Sequence, residues 1–224
     1  YNPQTEYTKK LLSDATAEQL LVKEKVFAAQ ENPLFTVRHL KKRFQNEEGV
    51  NDVSFDICEG EVFALAGESG SGKTTITCAL LAAMKNRKLA VRAFKSGPDY
   101  IDPMFHSRVI GTKSRNLDTF FTDGDRTRYL LAKNAGDCEI AVMEGVMGYY
   151  DGMGLDTAKA SSYDVAAALQ IPVVLVVSAR GSALSLAALV KGFLEFKKES
   201  RIRGILLNRV SAMLYPRLKE MLEN

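Results

Sequence analysis

Gly67-Glu68-Ser69-Gly70-Ser71-Gly72-Lys73-Thr74-Thr75 is the stretch that decides the reading of this chain. It fits the phosphate-loop pattern G-x-x-x-x-G-K-[ST] in full. An apolar run, residues 62–66, precedes it, and residues 76–84 read as a helix behind it. Glycines let the backbone fold back so that successive N–H groups point at phosphate oxygens, at a helix N-terminus where partial positive charge accumulates. In such a loop Gly67, Ser69, Gly70, Ser71, Gly72 and Thr75 form the cradle. Lys73 reaches the β- and γ-phosphates, and the Thr74 hydroxyl binds Mg²⁺. The bland alternative is a glycine turn before a structural helix. Strand, loop, Lys-Thr and helix all stand in order, so a nucleoside triphosphate is the expected ligand.

Composition narrows the remaining choices. A chain of 224 residues can bury a sizeable core and hold one large domain or one and a half. A net charge of +3 is too small to argue for nucleic acid or a membrane surface. The longest apolar run, residues 171–177, is strand-sized and far short of the roughly 20 residues of a spanning helix. No signal peptide is read. Cys58, Cys78 and Cys138 are odd in number and far apart, which suggests neither a disulfide framework nor a zinc site. A reducing cytoplasm fits these features.

The chain falls into unlike parts. Residues 1–33 look helical and polar, a terminal segment or linker. Residues 34–44 and 50–58 alternate apolar and polar side chains as half-buried strands do, and Glu47-Glu48-Gly49 supplies a turn. An antiparallel ribbon over residues 34–60 is expected. From residue 61 to 224 the pattern changes. Residues 89–94, 139–143, 173–177 and 202–207 are short apolar strand candidates separated by helical segments. Asp123 or Asp125 and Ser161 or Ser162 are candidate N-caps, Gly136 a stop, and residues 182–197 and 215–223 two further helices. Alternating strands and helices predict an α/β fold of the P-loop NTPase class: a mainly parallel sheet, helices on both faces, and the ribbon in front.

In open α/β sheets ligands bind at the carboxyl ends of the strands. Gly97-Pro98-Asp99-Tyr100-Ile101-Asp102-Pro103 follows the second of these strands and should face the nucleotide. Two carboxylates three residues apart suit Mg²⁺, which prefers oxygen ligands and keeps some waters. A Pro-Asp turn with exposed acids is the other reading. Glu144 ends the next strand, where an acid beside a phosphate loop is the usual second anchor for the metal. Asp151, among Gly145, Gly148, Gly152 and Gly154, is equally a site acid or a turn residue. Ser114-Arg115-Asn116-Leu117-Asp118 reads either as an anion site through Arg115 or as a capping turn. Arg180 and Asn208 follow later strands on the same edge, and an Asn amide there can read an adenine edge. His106 reads more readily as packed or hydrogen-bonded than as a catalyst.

Six ordered segments carry a resemblance. They are Ser71 to Thr77 of the loop, Phe94-Lys95-Ser96 running into Gly97 to Pro103, Phe105-His106-Ser107, Ser114 to Asp118, Glu144-Gly145-Val146-Met147-Gly148 with Tyr150-Asp151-Gly152, and Leu207-Asn208-Arg209-Val210. Over residues 70–224 the chain resembles the ATP-binding domain of cobyrinic acid a,c-diamide synthases. The resemblance implies ATP-dependent amidation of corrinoid carboxylates in cobalamin biosynthesis, through an acyl phosphate that ammonia displaces. It implies Lys73, Asp102, Glu144 and Asp151 in catalysis, Thr74, Asp99 and Glu144 on Mg²⁺, and Asn208 with the loop on ATP. Ammonia would come free or from a glutaminase domain that follows in that family and lies outside this chain. A homodimer is one arrangement open to it, and neither nucleic acid nor membrane insertion is implied.

Residues 1–75 resemble something else. Leu34 to Phe44, Val50 to Phe55, Glu59-Gly60-Glu61 and the phosphate loop look like the start of a peptide-type ABC transporter ATPase, and Tyr7 to Leu12 like the tail of a preceding one. The two resemblances meet inside the loop, which reads as a fusion at a shared motif. A transport ATPase is thus the alternative function, and an inactive nucleotide-binding fusion a third. The transport reading lacks a Leu-Ser-Gly-Gly-Gln signature and an apolar strand ending in Asp-Glu. It places another strand between residues 62–66 and 139–143, whereas the synthase reading makes them neighbours.

Overall fold

Seven residues from Glu61 to Gly67 form the strand on which the molecule is organised. In the computed structural model, residues 33–44 and 47–223 are described, with side chains described at 33–38 and 54–223. Two strands come first, β1 (Pro33–Phe44) and β2 (Glu47–Cys58), paired antiparallel. Then follow β3 (Glu61–Gly67), α1 (Lys73–Asn86), β4 (Val91–Ser96), α2 (Ile101–Phe105) and a turn of π-helix (His106–Ile110). The rest are β5 (Ser114–Leu117), α3 (Gly124–Ala135), β6 (Ile140–Glu144), α4 (Ser162–Leu169), β7 (Val173–Ser178), α5 (Leu184–Glu195), β8 (Ile202–Asn208) and α6 (Tyr215–Glu223).

Strands β3 to β8 make one six-stranded sheet in the order β5-β4-β6-β3-β7-β8, parallel throughout. Both faces are covered, so its central strands are continuous apolar runs split by the period of two. Val62, Ala64 and Ala66 join one core with Leu131 of α3, Val165 of α4, Leu186 of α5 and Leu218 of α6. Phe63 and Leu65 join the other, with Ile76, Leu80, Leu81 and Met84 of α1. Phe35 and Val37 of β1 and Ile57 of β2 complete this second core, so the expected ribbon packs beside α1. Full burial of a side chain of this size contributes about 1.5–3 kcal/mol.

The position of β6 discriminates between the alternatives. Val62 pairs with Ala141 and Ala64 with Met143, so no strand lies between β3 and β6. The synthase-like topology is therefore the one observed. Asp123 caps α3 by accepting from Arg126 N at 2.8 Å, and Ser161 caps α4 by accepting from Asp164 N at 3.2 Å. Three local expectations change. Glu47-Glu48-Gly49 belongs to β2 rather than to a turn. Ser114 to Leu117 is the edge strand β5, neither a cap nor a free loop, because pairing with β4 supplies its backbone partners. The segment after β4 winds into α2 from Ile101. The proposed helix in residues 1–33 and the Tyr7 to Leu12 segment fall on residues outside the described ones, except for Pro33.

Candidate active site

The phosphate loop is shaped by its glycines. Gly70 and Gly72 have φ of 81° and 88°, in the left-handed region. A Cβ on Gly67 would lie 2.2 Å from the Val176 carbonyl oxygen, and one on Gly72 2.3 Å from Asn208 Nδ2. Asn208, buried at the end of β8, donates from Nδ2 to the Ser71 carbonyl at 2.7 Å and accepts at Oδ1 from Arg209 N at 2.9 Å. Its amide ties the loop down. Gly72 precedes α1 without a side-chain cap, and the first turn holds no acid. The helix therefore presents unspent N–H donors and positive dipole to the loop, as a phosphate requires. Ser69, Gly70, Thr74 and Thr75 are exposed there, while Ser71 and Lys73 are buried. Ser71 Oγ lacks a partner.

Lys73 Nζ donates to the Met147 carbonyl at 2.8 Å and to Glu68 O at 3.4 Å. Burial, together with the charge of Lys95, pushes its pKa below the ordinary lysine value. The loop after β6 that supplies Met147 is pinned by Ser162, which accepts from Val146 N at 2.8 Å and donates to Val146 O at 3.0 Å. Asp151 is exposed and closes a turn there. Its Oδ2 accepts from Gly148 N at 3.0 Å. Its charge still reaches Lys73.

The acids converge on a residue that sequence reasoning passed over. Lys95, 3% exposed near the end of β4, places Nζ 2.6 Å from Asp102, 3.0 Å from Glu144 and 3.8 Å from Asp99, and donates to Gly145 O at 3.1 Å. Glu144 is fully buried at the end of β6, and its Oε1 also accepts from the Thr74 hydroxyl. Asp99, Asp102 and Glu144 thus surround one ammonium, and Thr74 joins the cluster through Glu144. Burial opposes the charge of Lys95, but Glu144 and Asp102 outweigh it and hold its pKa above the ordinary value. Burial likewise opposes the charge of Glu144. His106, Lys95 and Thr74 outweigh it and hold the carboxyl below the usual range. A lysine inside an otherwise buried strand, at the ligand edge, was the signal available in the sequence.

Asn116 of β5 braces the same cluster from outside, donating to Gly97 O at 2.7 Å and Asp99 O at 2.5 Å. Asp99 itself accepts from Ile101 N at 2.8 Å, which starts α2. Arg115 and Arg180 are exposed. His106 is fully buried beside Glu144, 3.3 Å away, and Ser114, also 3.3 Å away. No three His, Cys, Asp or Glu side chains among the described residues form a protein-only metal cage. The hard oxygens of Thr74, Glu144 and Asp99 nonetheless suit Mg²⁺, which binds through one or two carboxylates, waters and phosphate oxygens.

Residues 62–224 match the family described as the CobQ/CobB/MinD/ParA nucleotide binding domain. The chain belongs to that family. The cobyrinate a,c-diamide synthase of Streptococcus sanguinis (strain SK36) is 44% identical over 155 residues, covering 68% of this chain and 34% of that protein. The hydrogenobyrinate a,c-diamide synthase of Streptomyces coelicolor is 47% identical over 147 residues, covering 66% of this chain and 30% of that protein. This member of the family thus spans about a third of the length of the curated relatives it matches. Among solved structures, the signal recognition particle receptor FtsY from Elizabethkingia anophelis aligns with a TM-score of 0.49 at 14% identity, over 66% of this chain and 49% of that one. No described helix is long and apolar enough to cross a membrane.

Proposed function

We propose that this domain binds MgATP and activates a corrinoid side-chain carboxylate for amidation in cobalamin biosynthesis. The observation that carries the reading is the cluster of Thr74, Lys95, Asp99, Asp102 and Glu144 beside the phosphate loop. It sits in a chain more than 40% identical to a,c-diamide synthases. A carboxylate is a poor electrophile because oxide is a poor leaving group. Transfer of the γ-phosphoryl group to the carboxylate oxygen gives an acyl phosphate and ADP. Ammonia then attacks the carbonyl carbon and phosphate leaves, giving the amide.

The residues have separable tasks. Lys73 exchanges the carbonyls of Met147 and Glu68 for the β- and γ-phosphate oxygens. Burial and the charge of Lys95 depress its pKa, and an arriving phosphate would raise it again. Mg²⁺, held by Thr74, Glu144 and Asp99, would supply charge neutralisation when bound. Lys95 provides a second buried cation where two anions must meet. Asp102 orients that ammonium, and Asp151 holds the glycine turn beside the transferring group. Ammonia arrives free or from a glutaminase unit, the setting is cytoplasmic, and a homodimer is the assembly we would test first.

We read the ribbon as the start of an ABC-type ATPase joined at the loop. Its support is that the family match begins at residue 62, after both ribbon strands. Direct pairing of β3 with β6 favours the synthase reading over transport for the chain as a whole. The test is to incubate the protein with MgATP, ammonium and cobyrinic acid and to follow ADP release and the mass loss of each amidation. Nucleotide binding with no corrinoid-dependent ADP release or amide would defeat the proposal.

A further inference from the structure

Glu144 is held on one side only. Oε1 accepts from Thr74 Oγ1 and Lys95 Nζ and faces the phosphate loop. Oε2 has no hydrogen-bond partner, although the side chain is fully buried. The group facing it is His106 Nε2, 3.3 Å away, which also lacks a partner and is also fully buried. A buried donor or acceptor left unpaired is costly, so two such atoms facing each other across one contact distance are complementary rather than accidental. The far side of the imidazole meets Ser114 Oγ at 3.3 Å. Ser114 begins β5 and is buried. With the Ser114 hydroxyl donating to Nδ1, Nε2 carries the hydrogen and is aimed at the carboxylate. The π-turn His106–Ile110 is what brings the ring to this place.

We propose that His106, backed by Ser114, is a positioning residue for Glu144. It closes on Oε2 and so locks the carboxylate with Oε1 turned toward Thr74 and the metal side. The chain Ser114 to His106 to Glu144 runs from an edge strand through a helical turn to a central strand. Outer partners of this kind orient a ligating carboxylate, and removing one costs about 10–100-fold in metal affinity or activity. The inference rests on the reading of Glu144 as the metal-side acid.

The test titrates Mg²⁺ into the full chain carrying a fluorescent ATP analogue, with Mn²⁺ as a second probe read by electron paramagnetic resonance. His106→Leu is expected to raise the half-saturating metal concentration by roughly tenfold or more, leaving metal-free nucleotide affinity in EDTA unchanged. His106→Gln keeps a donor near the Nε2 position and should recover most of the loss. Ser114→Ala removes only a hydroxyl and should move the titration in the same direction by a smaller factor. A folded His106→Leu protein with wild-type metal dependence overturns the proposal. If that variant does not fold, wild-type dependence in Ser114→Ala, or a Gln variant as impaired in EDTA as in metal, overturns it instead. Glu144→Gln in the same titration separates the two claims. If it leaves metal dependence unchanged, the metal assignment itself falls; if it shifts while the His106 variants do not, only the positioning role falls.

Discussion

The antiparallel ribbon and the parallel sheet contribute to the same apolar core, yet they are built to different tolerances. Along β1 and β2 the pairing register shifts at four places between Pro33 and Phe44. Between β3 and β6, and between β4 and β6, five consecutive pairs run without a shift. The ribbon needs only to set Phe35, Val37 and Ile57 over α1 and β3, and a bulge does not prevent that. The sheet must bring the ends of β3, β4 and β6 level, because Thr74, Lys95 and Glu144 meet there. A one-residue slip would turn Glu144 to the other face. Cover tolerates irregular pairing, and a site assembled from several strand ends does not.

The sharpest way to break this contrast is at the loop. Lys73→Ala removes the loop's only cationic side chain and should lower corrinoid-dependent ADP release by about 10²–10³-fold, while melting as well as the parent. Unchanged turnover and ATP affinity would end the phosphate-loop assignment. Next come Asp99→Asn and Glu144→Gln, which keep shape and remove charge. Acyl-phosphate formation should fall by about 10²-fold, with ATP affinity much less affected. Equal losses in both, or none, would show that these acids do not act on the transferring group.

The ribbon supplies the counter-test. Phe35 is 3% exposed, and the Arg87 guanidinium lies 4.8 Å from its ring centre. Phe35→Ala should cost about 3 kcal/mol of stability and leave the Mg²⁺ dependence of nucleotide binding where it was. A shifted metal titration in a protein that still folds would mean that the ribbon shapes the site. The smallest effect is on pH. The folded carboxyl of Glu144 titrates below its ordinary 4.5, so its ionised contacts stabilise fully above that pH and are lost as pH falls through the lower value. Glu144→Gln should therefore show a shallower loss of stability than the parent as pH falls below about 4.5 in chemical denaturation. Parallel acid limbs would mean that the ionised contacts of Glu144 add nothing to folded stability.

What sequence by itself determined here is whatever depends on local pattern. The phosphate loop, the apolar runs of β3, β6, β7 and β8, the two helix starts to within a pair of candidate caps each, and the acids at strand ends all announce themselves within ten residues of chain, because backbone conformation and period-two burial are set locally. Tertiary structure decided the rest. β5 holds only four residues with Arg115 and Asn116 exposed at its centre, so nothing but pairing with β4 makes it a strand. Lys95 reads as one of two charges in β4, with Arg92, until the ends of α2 and β6 bring Asp102 and Glu144 to it. His106 has no chemical neighbour in sequence, and acquires Glu144 across 38 residues only because β4, α2 and β6 stack their ends together. Asn208, at the far end of the chain, becomes the clasp on Ser71 because β7 alone separates β8 from β3. Contacts that join distant segments leave no periodic trace in either segment, and the buried polar network of this site is made of such contacts.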